Sequence, residues 1–152
     1  MFSRTHIVIT VFFILLLFQN SPNFFLFLFV SIVATLVPDI DSKNSKIGRK
    51  KPARIINFFM KHRGIVHSFL FLAFISLVIF IFWKEILLPF VLGYSLHLIS
   101  DSFTLQGTRL FYPFKLRIKG IIKTGGIAEF FIFTSFCFAD LFLVINKFYS
   151  VI

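Results

Sequence analysis

Polar residues divide the chain into five long apolar runs: Ile7 to Phe18, Phe24 to Val37, Ile65 to Trp83, Ile86 to Ile99 and Ile127 to Ile145. Taken as helices, the third and fifth reach ~27–30 Å and can cross a bilayer. The other three are nearer ~20 Å, so they must borrow length from flanking residues, thin the bilayer or stay partly re-entrant. The linkers NSPN (20–23) and WKE (83–85) are short enough for tight hairpins, with Pro22 punctuating the first. The pattern predicts an all-α membrane protein. It forms a single helical membrane domain over 1–152, with about five transmembrane or partly re-entrant helices.

Composition supports this. Of 152 residues, 58% are hydrophobic and 20% aromatic, and the mean hydropathy is +0.94, which excludes a water-soluble domain of this size. Arg4 and the first run resemble a secretory signal, but NSPN is no small-residue cleavage site and a second apolar run follows at once. The first run is therefore expected to stay. The 26 phenylalanines suit lipid-facing positions under AT-biased codon usage and receive no functional assignment. Cys137 stands alone within an apolar run, so neither an intrachain disulfide nor a thiolate metal cluster is expected.

The net charge of +10 sits mostly in two loops, which span 42–61 and 108–126. Lys43, Lys46, Arg49, Lys50, Lys51, Arg54, Lys61 and Arg63 lie in or beside the first; Arg109, Lys115, Arg117, Lys119 and Lys123 lie in the second. By the positive-inside rule both loops face the cytoplasm, which predicts a multi-pass protein of the cell (inner) membrane with a cytoplasmic amino terminus. Arg4 agrees with this orientation, and Lys147 is a weak exception.

On that topology the polar residues of the runs gather at one depth. His6 opens the first helix, Asp39 and Asp41 close the second, His62 and His67 open the third, His97 and Asp101 close the fourth, and Glu129 opens the fifth. His97 and Asp101 are four apart, so a helix sets them one turn apart on one face, where both can reach one ion. An extended Asp39-Ile40-Asp41 points both carboxylates the same way. Gly64 permits a sharp turn between His62 and His67, and Ser68 can cap the helix that follows or support the imidazole. Each feature alone has an ordinary reading as an interfacial anchor, a solvated turn or a structural hydrogen bond. All four histidines and four of the six carboxylates at one membrane depth instead point to a divalent metal site. His with carboxylate ligands suits zinc first, with manganese or iron as alternatives. The candidates outnumber the needs of one zinc, so one or two ions are both open.

The order PDID (38–41), HRGIVHS (62–68), GYSLHLISDSFTLQG (93–107) and LFYP (110–113) resembles the YdjM-type family of inner-membrane proteins, described as membrane-bound metal-dependent hydrolases. The resemblance runs from His6 in RTH to Glu129. It implies that His6, Asp39, Asp41, His62, His67, His97 and Asp101 make the metal centre, and that Arg63 and Thr104 support it or contact substrate. There are two departures. Many relatives have threonine where Val66 stands, and histidine or proline commonly follows the DxD where this chain has Ser42 or Lys43. The missing hydroxyl at Val66 bears on the support of His67 rather than on the ligand.

The expected function is a membrane-bound metal-dependent hydrolase at the cytoplasmic interface. Asp41, Asp101 or Glu129 would accept the proton, and Arg63 with nearby lysines would draw in an anionic small molecule or lipid, preferably a phosphoester. The lipid bilayer is the expected partner; nothing resembles a nucleic-acid recognition element. The alternatives are a non-catalytic anchor with a structural metal, and a metal or proton transporter. A transporter needs polar steps through the bilayer centre, whereas these residues cluster at one end of the helices.

Overall fold

The computed structural model describes residues 1–41 and 63–149; the side chains of Ile40, Asp41, Arg63 and Gly64, and the first basic loop with His62, lie outside the described residues. Five helices carry the architecture, and no strand forms among the described residues. They are α1 (Ser3–Phe18), α2 (Phe24–Leu36), α4 (Phe69–Phe82), α5 (Lys84–Ser102) and α6 (Ile127–Tyr149), with a single turn α3 (Arg63–Val66) before α4. A 3-10 turn, Val37–Asp41, follows α2. Val37 keeps helical backbone (φ −54°, ψ −46°), and Pro38, which has no N–H to donate, stands where the α-helix passes into this turn.

Two helices differ in length from the reading of the apolar runs. The third run breaks at His67-Ser68: Ser68 caps α4 by accepting from the Phe71 N–H at 3.3 Å, and the helix keeps 14 residues, or ~21 Å. The fourth extends over polar residues to 19, or ~28 Å. Among the described residues only α6, with 23 residues, is both long and apolar enough to cross a membrane by itself.

Helix α1 is central, packing on α2, α5 and α6, while α5 also carries α2 and α4. Helices α1 and α6 run parallel. At one end Glu129 reaches Thr5 and Phe2; at the other Lys147 Nζ donates to the Gln19 carbonyl at 2.6 Å and lies over the Phe24 ring. The charge that counted against the predicted orientation thus ties off the end of α1.

Helices α2 and α5 meet along a polar seam. The Thr35 hydroxyl lies 2.8 Å from the Ser31 carbonyl, 3.0 Å from the Gly93 carbonyl and 2.9 Å from the Thr10 hydroxyl on α1. Ser31 Oγ donates to the Pro89 carbonyl at 3.0 Å. Small residues let backbones approach closely in an apolar medium, and such bonds hold helices where burial cannot. At Gly93 the approach leaves no room: an added Cβ would stand 2.1 Å from the Ser31 carbonyl oxygen. An apolar cluster of Leu72, Tyr94, Leu98 and Leu110 joins α4, α5 and the loop after α5.

Gly93→Ala should therefore lower the thermal midpoint of detergent-solubilised protein, followed by circular dichroism, by an amount equivalent to at least ~1–3 kcal/mol. Leu77→Ala, on an exposed face of α4, should leave it unchanged.

Candidate metal centre

Adjacent residues on α1 serve two neighbours. Thr5 faces α6, where its hydroxyl donates to Glu129, and His6 faces α5. The His6 and His97 rings stack with centroids 4.1 Å apart, and the His67 ring stands against His97 at 5.6 Å. His97 and Asp101 hold the predicted one-turn spacing, with Nε2 3.6 Å from Oδ2. His6 Nε2 is 3.0 Å from Asp101 Oδ1, and Asp39 Oδ1 is 3.9 Å from His97 Nε2. Ligand-capable atoms of His6, Asp39 and His97 lie within 4.8 Å of one another, as do those of His67, His97 and Asp101.

The structure thus brings together five of the seven predicted ligands. His62 lies outside the described residues, as do the side chains of Asp41 and Arg63; Arg63 opens α3 and Asp41 closes the 3-10 turn. Thr104 is buried beside the centre, where its hydroxyl donates to the Asp101 carbonyl at 2.7 Å and accepts the Gly107 N–H at 3.2 Å. It caps the end of α5 and so fixes where Asp101 stands. Glu129 is buried too, and its carboxylate accepts from the Phe2 N–H (2.6 Å), the Thr5 hydroxyl (2.9 Å) and the Gly125 N–H (2.7 Å). With three donors in place it pins the start of α6 to that of α1.

The His6 and His97 side chains are fully buried, and none of their four ring nitrogens has a hydrogen-bond partner among the described residues. The 3.0 Å approach of His6 to Asp101 is close without being aligned as a hydrogen bond. Buried polar atoms are normally satisfied, and neutral imidazoles gathered around carboxylates form a donor set for a divalent cation. The carboxylates of Asp39 and Asp101 keep 21% and 17% exposure, so the centre is closed by imidazoles on one side and accessible through carboxylates on the other.

Several contributors escaped the motif reading. Ser3 Oγ donates to Asp39 Oδ2 at 2.6 Å, and the Met1 amino group reaches Asp101 Oδ1 at 2.6 Å. The Tyr94 hydroxyl donates to the Val66 carbonyl, so the turn carrying His67 is held through backbone, and a hydroxyl at position 66 is not required for that. Thr10 and Thr35 each lie four residues from a ligand candidate, His6 and Asp39; that helical spacing was the available signal for the seam beneath the centre.

The sequence profile of the YdjM inner membrane protein family matches residues 1–150. The chain belongs to the YdjM family. It is also similar to the uncharacterized protein YvsG of Bacillus subtilis (strain 168), 34% identical over 103 residues that make up 64% of this chain and 64% of that protein. This chain thus spans a little under two thirds of that relative's length. No solved structure matches. Membership of the YdjM family supports a membrane location for this chain, and the buried His/Asp groups are ones that can hold a metal ion.

His6→Ala, His97→Ala and Asp101→Ala should each lower the metal that co-purifies with the protein, read by elemental analysis; Asp140→Ala and Glu85→Ala should not. Bound metal should fall as the pH is lowered, because imidazole ligates only when neutral.

Proposed function

We propose that this protein is a membrane-bound metal-dependent hydrolase acting at the cytoplasmic face of the cell membrane on an anionic phosphoester or lipid-like substrate. The observation that supports it most is the pair of buried, stacked imidazoles whose ring nitrogens lack hydrogen-bond partners among the described residues, beside two partly exposed carboxylates. His6, His67, His97, Asp39 and Asp101 would hold the ion, with zinc preferred over manganese or iron. Bound there, the ion would supply Lewis acidity toward an ester oxygen and acidify water.

The chain's own groups contribute position and proton transfer. The buried imidazoles keep one side dry, so a substrate group enters past Asp39 and Asp101. Glu129 is poorly placed to accept a proton, since three donors already hold it. Thr104 and the Tyr94–Val66 contact orient the supports from behind. A transport pathway receives less support, because Thr10, Ser31 and Thr35 bond to one another and to backbone rather than lining an open route.

The five helices would cross or enter the bilayer with the amino terminus and both basic loops in the cytoplasm. In a Cys137→Ser background, Asn20→Cys should react with an impermeant thiol reagent in intact cells and Lys119→Cys should resist it. The opposite pattern would put the metal centre outside.

Hydrolysis is tested by screening phosphomonoesters, phosphodiesters and phospholipids with the metal-loaded protein in lipid. The wild type should turn over at least one class, and His97→Ala should fall to background while keeping its helical circular dichroism. A fully metallated wild type that hydrolyses none of them would replace the reading with a structural metal in a membrane anchor.

A further inference from the structure

The segment joining α5 to α6, residues 103–126, contains no helix, yet it has a defined shape. Thr108 and Ile118 exchange backbone hydrogen bonds of 3.0 and 2.9 Å. Thr104 and Ile122 form a second bridge, with the Leu105 N–H on the Ile122 carbonyl at 2.9 Å and the Ile122 N–H on the Phe103 carbonyl at 3.0 Å. The Phe69 N–H donates to the Leu110 carbonyl at 2.9 Å, which ties the loop to the start of α4. Glycine is required at two points: Gly107 has φ +60°, and a Cβ on Gly120 would lie 2.1 Å from the Phe103 carbonyl oxygen.

This tethered loop displays apolar side chains. Phe114 is 72% exposed and Leu116 63%. Between them and beyond them stand Lys115, Arg117 and Lys119, so the stretch 114–119 alternates apolar and basic. In extended backbone the alternation sorts the two kinds to opposite sides. Ile118 identifies the apolar side, because it packs against the cluster of Leu72, Tyr94, Leu98 and Leu110. By the same alternation Leu116 and Phe114 fall on that side, and both are exposed. No acidic residue occurs between Asp101 and Glu129, whereas Arg109, Lys115, Arg117, Lys119 and Lys123 do.

We propose that this loop is seated in the bilayer surface on the side of the metal centre, with Phe114 and Leu116 in the acyl boundary and its lysines and arginines on anionic phospholipid headgroups. An apolar side over a basic side is the pattern of an interfacial element, and cations beside an anionic leaflet gain from its surface potential. A soluble acidic partner or a nucleic acid would engage the basic side and leave Phe114 and Leu116 in water. The proposal does not depend on whether the metal centre hydrolyses anything.

The test uses the full chain in a Cys137→Ser background, with an environment-sensitive fluorophore on single cysteines at 114, 115, 116 or 117, in nanodiscs of phosphatidylcholine and phosphatidylglycerol in equal parts. Probes at 114 and 116 should be quenched several-fold more by brominated lipid than by aqueous iodide, and probes at 115 and 117 the reverse. Equal iodide quenching at all four would overturn the seating. In neutral micelles, the probe at 116 should respond saturably to added phosphatidylglycerol and not to phosphatidylcholine. Exchanging Lys115, Arg117, Lys119 and Lys123 for glutamine should raise the apparent Kd at least about tenfold. All four are exposed, so the variant should keep the wild-type thermal midpoint. An equal response to both lipids, or saturable binding of an oligonucleotide with none of phosphatidylglycerol, would overturn the headgroup assignment.

Discussion

Asp101 reaches in several directions at once. Its Oδ1 lies 3.0 Å from His6 on α1, its Oδ2 3.6 Å from His97 one turn back on its own helix, and its carbonyl accepts the Thr104 hydroxyl that starts the following loop. A carboxylate in so apolar a protein is costly unless cations or donors surround it. Meeting that requirement draws the start of α1, the end of α5 and the loop after it into one place. The His6–His97 stack follows, because both rings approach the same carboxylate.

The rest of the molecule holds those ends in register. In a lipid-facing bundle, helices gain little by burying apolar side chains against each other, since lipid is equally apolar. The interior accordingly uses close backbone contact at Gly93, hydroxyl bonds among Thr10, Ser31 and Thr35, and the Glu129 and Lys147 ties at opposite ends of α6. Large phenylalanines and leucines are left to the outside, as on α6, where Phe131, Phe138 and Phe142 are each more than 60% exposed.

Much of the centre was legible in the chain because helix periodicity is local. The four-residue spacing of His97 and Asp101 required one face, and Ser68 read correctly as a cap. The placement of His6, Asp39, His67, His97 and Asp101 at helix ends of alternating direction implied a common depth, and the structure has them converge. The helix lengths were less legible. Apolar runs mark what lipid tolerates, whereas α4 starts where Ser68 caps it and α5 continues through the polar His97 and Asp101.

The sequence by itself determined a helical membrane protein and the histidines and carboxylates available at its helix ends, since hydrophobicity, charge distribution and i,i+4 spacing are properties of neighbours along the chain. Only the tertiary structure decided which of those groups meet and which are spent on support. Glu129 and Thr104 carry the same chemistry as the ligand candidates, yet their hydrogen bonds with Phe2, Thr5, Gly125, the Asp101 carbonyl and Gly107 occupy them in holding helix ends. His6 and His97 have no such bonds among the described residues. That difference depends on contacts between residues as far as 127 positions apart, and no local pattern encodes it.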